Sequence, residues 1–441
     1  MDRSHIPVMA KVAVAAIVLV MSAIAAAQSP SPGPVNRQNV GFIETDLVTN
    51  VPSLKDSNGI VHTPNPCGAI VSQCVDPNLV NPWGLVGSTP VPSPPGTPSP
   101  WWISDNGKGV STLYNNDTLA NTFTINSRVV VIPCPGQSTT ACGTPTGVVW
   151  NSAPASSPPA FPVLGSAASF IFATEDGTIV AWNAAAGNNG IIVKDNSGLG
   201  AVYKGIEIAT DSTVTPAKTL LYVANFNAGT VEMYDTTFTQ VLPPGAFTDP
   251  HLPPGYAPFN IVLVGKRLIV TYAVQDSDKH DDVAGPGLGA VNAFDLSGNL
   301  LQRLVPGIKL NDRSCRNQPN IVKCKLNSPW GVALAPQSFG ALADALLIGN
   351  FGDGHINGYD PTTGKFIGTM HYAQSTKGLQ GKPVVIDGLW ALRVGNDLYG
   401  RSGYANALYF TAGPNGERDG LFGALRPDGL YGTPPYPFPG P

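Results

Sequence analysis

Six copies of a turn-and-aromatic pattern run through this chain, and they commit it to a repeat architecture before any function is considered. The copies are anchored on Gly109, Gly177, Gly229, Gly289, Gly354 and Gly420. Five residues after each of the first five stands an aromatic: Tyr114, Trp182, Tyr234, Phe294 or Tyr359. An Asn or Asp follows at once, as Asn115, Asn183, Asp235, Asp295 and Asp360. The sixth copy keeps only Leu425 at the aromatic place.

Each unit reads as strand, turn, strand. Short runs such as Leu221-Tyr222-Val223 and Leu347-Ile348-Gly349 are rich in aromatic and aliphatic residues that suit half-buried strands. Turn residues follow, as in Glu175-Asp176-Gly177, and tolerate the positive φ of tight hairpins. Alternation then resumes in Thr230-Val231-Glu232-Met233-Tyr234-Asp235, with the period of two that marks a strand.

A leading strand opens each unit. The openings are Asn81-Pro82-Trp83-Gly84-Leu85, Thr144-Pro145-Thr146-Gly147-Val148, Tyr203-Lys204-Gly205-Ile206, Ala257-Pro258-Phe259-Asn260-Ile261, Ser328-Pro329-Trp330-Gly331-Val332 and Ile386-Asp387-Gly388-Leu389-Trp390. They recur at intervals of roughly 60 residues, which suits a small sheet of about four strands per unit. Glycine at the head of an inner strand has a reason if six strands crowd together near an axis. The sequence therefore predicts an all-β chain with a single six-bladed β-propeller over 81–426.

Composition narrows the partners. Charged residues make up only 12%, against 49 glycines and 43 prolines, a loop-rich β composition. A net charge of −4, with no Lys/Arg cluster, gives no reason to expect a nucleic-acid surface.

The N-terminus reads as a secretory signal peptide over 1–27. Arg3 and Lys11 precede an apolar stretch from Val12 to Ala26, and Ala25-Ala26-Ala27 supplies a small-residue cleavage site. That stretch is shorter than the ~20 residues needed to span a bilayer. The expected product is secreted, extracellular or periplasmic, without a stable membrane anchor after cleavage, and monomeric. Residues 28–80 form an N-terminal segment. It holds a Ser/Pro-rich linker, Ser29 to Pro34, and a strand over Asn39 to Asn50 that would complete the last blade and cover its open edge. Residues 427–441 read as a Pro/Gly-rich tail.

Six cysteines fall in three close pairs: Cys67 with Cys74, Cys134 with Cys142, and Cys315 with Cys324. An even count in an exported chain suggests disulfides, and local pairing is the simplest connectivity. No Cys-x-x-Cys spacing speaks for zinc.

Propellers bind ligands around the axial channel, at the ends of inner strands. The residues just ahead of the leading strands are Asn81, Thr144, Lys204, Asn260, Asn327 and Asp387; those near the end of the second strands include Asp105, Glu175, Asn225 and Asn350. Oxygen ligands at Asp105, Glu175, Asn225, Asn260, Asn350 and Asp387 would suit an axial calcium or magnesium ion. Asn and Asp at strand ends equally serve their own turns. A second candidate is the loop Gln275 to Asp282, where Asp276, Asp278, Asp281 and Asp282 could gather a hard cation or simply form a solvated acidic loop. The glycine-rich stretch after it, Val283 to Gly289, could fold over a channel mouth. Trp83, Trp330 and Trp390 occupy matching places, for sugar stacking or for core packing. One Asn-x-Thr sequon stands at Asn116.

Several segments resemble one exported family of NHL-like β-propellers, conserved proteins of unknown function. They are Asn81-Pro82-Trp83-Gly84-Leu85, Ser104-Asp105-Asn106-Gly107, Phe172 to Ile179, Asp281 to Gly289, Gly349 to Gly354 and Tyr409 to Pro414. That resemblance implies the propeller and no established activity. A looser similarity links Pro258-Phe259-Asn260 and Asp387-Gly388 to the calcium-dependent propellers of the gluconolactonase type. It implies an axial metal held by carboxylates and an asparagine; the Glu-Gly-Pro of their first blade has no counterpart here. Two functions follow as expectations. One is a binding module for a small ligand, glycan or protein. The other is a metal-dependent, lactonase-like hydrolase with an axial Ca or Mg ion that polarises a carbonyl.

Overall fold

The computed structural model describes residues 40–428 apart from 69–72, 89–98, 118–121, 242, 311, 316–320 and 397–401. The signal peptide expected over 1–27, the Ser/Pro-rich linker and the tail beyond residue 428 lie outside the described residues.

The repeats fold into six antiparallel sheets that form a six-bladed β-propeller. Blade 1 pairs Pro82–Val86, Trp101–Asp105, Val110–Asp117 and Thr122–Val131 in chain order. The inner strands of blades 2 to 5 are Pro145–Trp150, Tyr203–Asp211, Tyr256–Val264 and Pro329–Leu334. Blade 3 has three strands rather than four. Blade 6 pairs Leu389–Val394, Leu408–Ala412 and Leu421–Pro427, and its outer strand is Phe42–Thr49 from the other end of the chain. There Phe42 lies opposite Pro427 and Thr49 opposite Leu421, with a register shift between Asp46 and Val48. The last sheet is thus built from both ends of the described chain.

Five of the six inner strands carry Gly or Ala at the hub, and blade 4 carries Asn260. A Cβ added at Gly331 would come 2.6 Å from the Trp390 carbonyl oxygen of blade 6. One at Gly205 would come 2.3 Å from Asn260 Oδ1 of blade 4. Blade 6 departs from the expected alignment. Leu389 pairs with Ala412 and Leu392 with Phe410, as Pro82 pairs with Asp105 and Leu85 with Ile103 in blade 1. Trp390 therefore matches Trp83, and the axial small residue is Ala391, not Gly388. Gly388 instead lies ahead of the strand at φ +66°.

All three local cysteine pairs are disulfides. Cys67 is bonded to Cys74, Cys134 to Cys142 and Cys315 to Cys324, with Cα separations of 5.0, 5.2 and 5.3 Å. Such bridges are consistent with an oxidising, extracellular compartment. Among the described residues no helix is long and apolar enough to cross a membrane. The sequon asparagine is inside: Asn116 is buried and its amide donates to the Tyr409 hydroxyl at 3.0 Å.

Candidate functional site on the axial face

One residue per blade occupies the register position just before the hub residue (Gly84, Gly147, Gly205, Asn260, Gly331 or Ala391): Trp83, Thr146, Lys204, Phe259, Trp330 and Trp390. Four are aromatic, and they pack into a plug. Trp83 and Trp390 stack with centroids 3.5 Å apart, while Trp330 meets both edge-on at 6.2 and 5.8 Å. Phe351 stacks on Trp390 at 4.0 Å. The three tryptophans are buried, so they pack the hub rather than offer faces to a sugar. The axial cavity itself, lined in part by Gly84, Gly147, Asn260, Glu207 and Arg393, holds about 40 Å³. That is space for a few waters, far below the ~300 Å³ of a small-ligand pocket.

Lys204 breaks the aromatic column. Its Nζ lies 5.0 Å from the Trp83 ring and 5.9 Å from the Phe226 ring, cation–π contacts that become strong when water is excluded. The side chain is 1% exposed and forms ion pairs with Glu175, 10% exposed, and with Asp281 at 3.2 Å. From Glu175 a chain of amides crosses the face. Asn106 Nδ2 donates to Glu175 Oε2 at 2.7 Å. Asn81 Nδ2 donates to Asn106 Oδ1 and to Glu417 Oε1, both at 3.3 Å. The plug fixes this chain from within, because Trp390 Nε1 donates to Asn81 Oδ1 and Trp330 Nε1 to the Lys204 carbonyl, each at 3.0 Å.

The loop from blade 4 completes the site. Gln275 pairs with Asp282 across it. The Gln275 amide donates to the Phe226 carbonyl at 2.6 Å, and Gly285 N donates to Asn327 Oδ1 at 2.6 Å. So held, the loop sets Asp281 against Lys204, with His280 Nδ1 3.0 Å from Asp281 Oδ1.

Burial would push Lys204 down, but Glu175 and Asp281 reverse this and hold the ammonium above its usual range. Burial tends to raise Asp281; Lys204 and His280 outweigh it and keep the carboxylate below its usual range. Glu417 goes the other way. Its burial, then the nearby Glu175 charge, push its carboxyl up to about 7, against a partial pull downward from Lys204. Near neutral pH this face therefore carries one fixed ammonium, fixed amides, the ionised Asp281 carboxylate and one carboxyl, Glu417, poised to gain or lose a proton.

Of the residues expected to hold an axial ion, only Glu175 joins this cluster. Asp105 accepts from Thr112 N at 2.9 Å, and Asp387 from Ser57 N and Asn415 N at 3.0 and 2.9 Å. Asn225 donates to Glu232 at 2.7 Å, Asn260 to the Trp330 carbonyl at 2.9 Å, and Asn350 to the Lys325 carbonyl at 2.8 Å. These bonds belong to separate networks: Asn260 reaches blade 5 and Asp387 the N-terminal hairpin, while the others serve nearby strands and turns. In the acidic loop, Asp276 accepts from His280 N at 3.0 Å, and Ser277 Oγ donates to Asp278 Oδ1 at 3.4 Å. Burial raises Asp282. Glu175, His280 and Asp281 do lie close enough to share an ion, but the Lys204 ammonium already sits against both carboxylates. A second cation there would meet a fixed positive charge, so these residues do not fit calcium or magnesium. Sequence reasoning missed Glu417 and Asn106; His280 was visible within the loop Gln275 to Asp282. The signal for Lys204 was present, a lysine where four of six blades place an aromatic ring.

No family model matches the chain. An uncharacterised protein of Acanthamoeba polyphaga mimivirus is 27% identical over 373 residues, 80% of this chain and 76% of that protein. A second uncharacterised protein of the same virus is 25% identical over 363 residues, 80% of this chain and 82% of its own length. Among solved structures, a protein of unknown function from Bacteroides thetaiotaomicron is similar at TM-score 0.47 and 11% identity, covering 87% of this chain and 76% of that one. An auxiliary nutrient binding protein from the same bacterium is similar at TM-score 0.43 and 12% identity, covering 88% and 77%.

Proposed function

We propose that this chain is an exported binding module that recognises a hydroxyl-rich ligand, a glycan, on its axial face. The observation that carries the reading is the continuous polar chain Lys204–Glu175–Asn106–Asn81–Glu417 above a rigid aromatic hub. Fixed amides and carboxylates can pair with the donors and acceptors of sugar hydroxyls, and side chains locked in advance reduce the ordering cost of binding. The three disulfides and the N-terminal pattern over 1–27 support export. Glycan-array screening followed by calorimetry tests the reading. A hit whose affinity falls at least tenfold in Asn106→Ala supports it. Absence of any hit, or a hit indifferent to Asn106→Ala and Asp281→Asn, refutes it.

One observation favours a second reading on the same face. Glu417 is pushed up to about 7 while Lys204 and His280 hold Asp281 below its usual range, and two carboxyls kept in different protonation states are what glycosidic bond cleavage uses. Here Glu417 would be the acid, protonating the leaving oxygen. Turnover of aryl glycosides that vanishes in Glu417→Gln supports this; no turnover across such a panel removes it.

A further inference from the structure

A second cluster lies in blade 6. On the strand Phe42–Thr49, Glu44 and Asp46 are two residues apart and so share one face. The chain then returns through the hairpin Leu54–Lys55 and Val61–His62. This brings His62 Nδ1 to 3.0 Å from Asp46 Oδ1 and 3.7 Å from Glu44 Oε1. Asp56 Oδ2 stands on the far side of the ring, 3.6 Å from His62 Nε2.

Each carboxylate has one oxygen tied down and the other turned to the imidazole. Tyr372 donates to Glu44 Oε2 at 2.7 Å, and Thr63 N donates to Asp46 Oδ2 at 2.9 Å. Glu44 Oε1 is enclosed and finds no hydrogen-bond donor among the described residues. The His62 side chain is 5% exposed and the Glu44 side chain 12%. Three carboxylates here surround a single imidazole, so one nitrogen and several oxygens are brought together behind the outer strand.

We propose that Glu44, Asp46 and His62 form a divalent-metal site of the zinc type, which clamps the ring-closing strand to the hairpin that follows it. Zinc bonds of about 2.0–2.2 Å in tetrahedral geometry place ligand atoms roughly 3.4 Å apart, between the two separations seen here. All three ligand atoms lie within 4.8 Å of one another. Tyr372, Thr63 and Asp56 supply the outer partners that orient metal ligands, with Asp56 on the imidazole nitrogen opposite the metal. A nitrogen among the donors favours zinc over calcium or magnesium, which prefer oxygen alone. The assignment is independent of any ligand on the axial face.

The test uses tag-free full-length protein stripped with a chelator and then supplied with one metal at a time. One zinc per chain is expected, with an intense tetrahedral visible spectrum when cobalt(II) replaces it. His62→Gln and Glu44→Gln should each weaken zinc at least tenfold, and zinc should raise the melting temperature of the wild type but not of either variant. The wild-type cobalt spectrum and zinc stoichiometry need no variant, so a variant that misfolds does not shield the proposal. Wild-type protein that takes up no zinc, or a weak octahedral cobalt spectrum, overturns it. So does binding that survives both substitutions, or binding lost on His280→Ala, which would put the metal on the axial face.

Discussion

Replacing Glu417 by glutamine should make the protein more stable, with a gain that depends on pH. Glu417 sits beneath the axial face, accepts one hydrogen bond from Asn81, and feels the Glu175 charge. Glutamine keeps an acceptor for Asn81 and never ionises. The folded carboxyl is raised from 4.5 to about 7, so between those values the folded state holds a proton that the unfolded chain has released. Stability therefore falls as pH rises through this window. At about 1.36 kcal/mol per pKa unit, the loss is at most about 3 kcal/mol, and solvent screening of a partly exposed group trims it to about 1–3 kcal/mol. Urea unfolding of both proteins at pH 4, 6 and 8 reads the effect. The Glu417→Gln protein should be ahead by about 1–3 kcal/mol at pH 8, by less at pH 6, and level with the wild type at pH 4. A variant that is no more stable at pH 8, or whose advantage persists at pH 4, would refute the reasoning.

Lys204→Met should cost about 3–5 kcal/mol by stranding the enclosed Glu175 charge. Asp281→Asn should cost less than about 1 kcal/mol, because that side of the pair is 67% exposed; equal costs in chemical denaturation would contradict the assigned burial. Gly205→Val should abolish the cooperative transition or drastically lower soluble yield, since even a Cβ would sit 2.3 Å from Asn260 Oδ1; a well-folded variant by circular dichroism would show that the hub can relax. Deleting 42–49 should leave the strand Leu421–Pro427 as an unprotected edge and drive association; a monomeric, fully stable product in sedimentation would count against that role.

The fold was legible because its rules are local and repeated. Tyr114, Trp182, Tyr234 and Phe294 recur at one offset from a turn, and each offset marks one hairpin. Close cysteine spacing pointed to the right bridges for the same reason: Cys74, Cys142 and Cys324 each lie within ten residues of their partners. Blade 6 misled because the glycine of its opening, Gly388, imitates the glycines of the other openings, while strand register sets Trp390-Ala391 at the hub. The site was only half visible. Glu175 and Asp281 stood out as acidic residues in turns, but Asp105 and Asn350 looked identical in character and serve their own surroundings. Which acidic turn meets the axis depends on how the blades rotate around it. Glu417 reaches Asn81 across 336 residues of chain, and no pattern within one repeat reports such a contact. The Glu44 cluster was silent because two acidic residues in an outer strand read as ordinary surface until His62 folds back.

The pairing of Phe42–Thr49 with Leu421–Pro427 also sets a clock on the molecule's assembly. During synthesis the earliest described strand appears hundreds of residues before its mate exists. Its partner, Leu421–Pro427, follows the strands of the other five sheets in the chain. Any nascent fragment that stops short of residue 421 carries an orphan segment, a natural target for chaperones or proteases. Arrival of the strand Leu421–Pro427, rather than formation of any earlier sheet, is therefore the step that closes the ring.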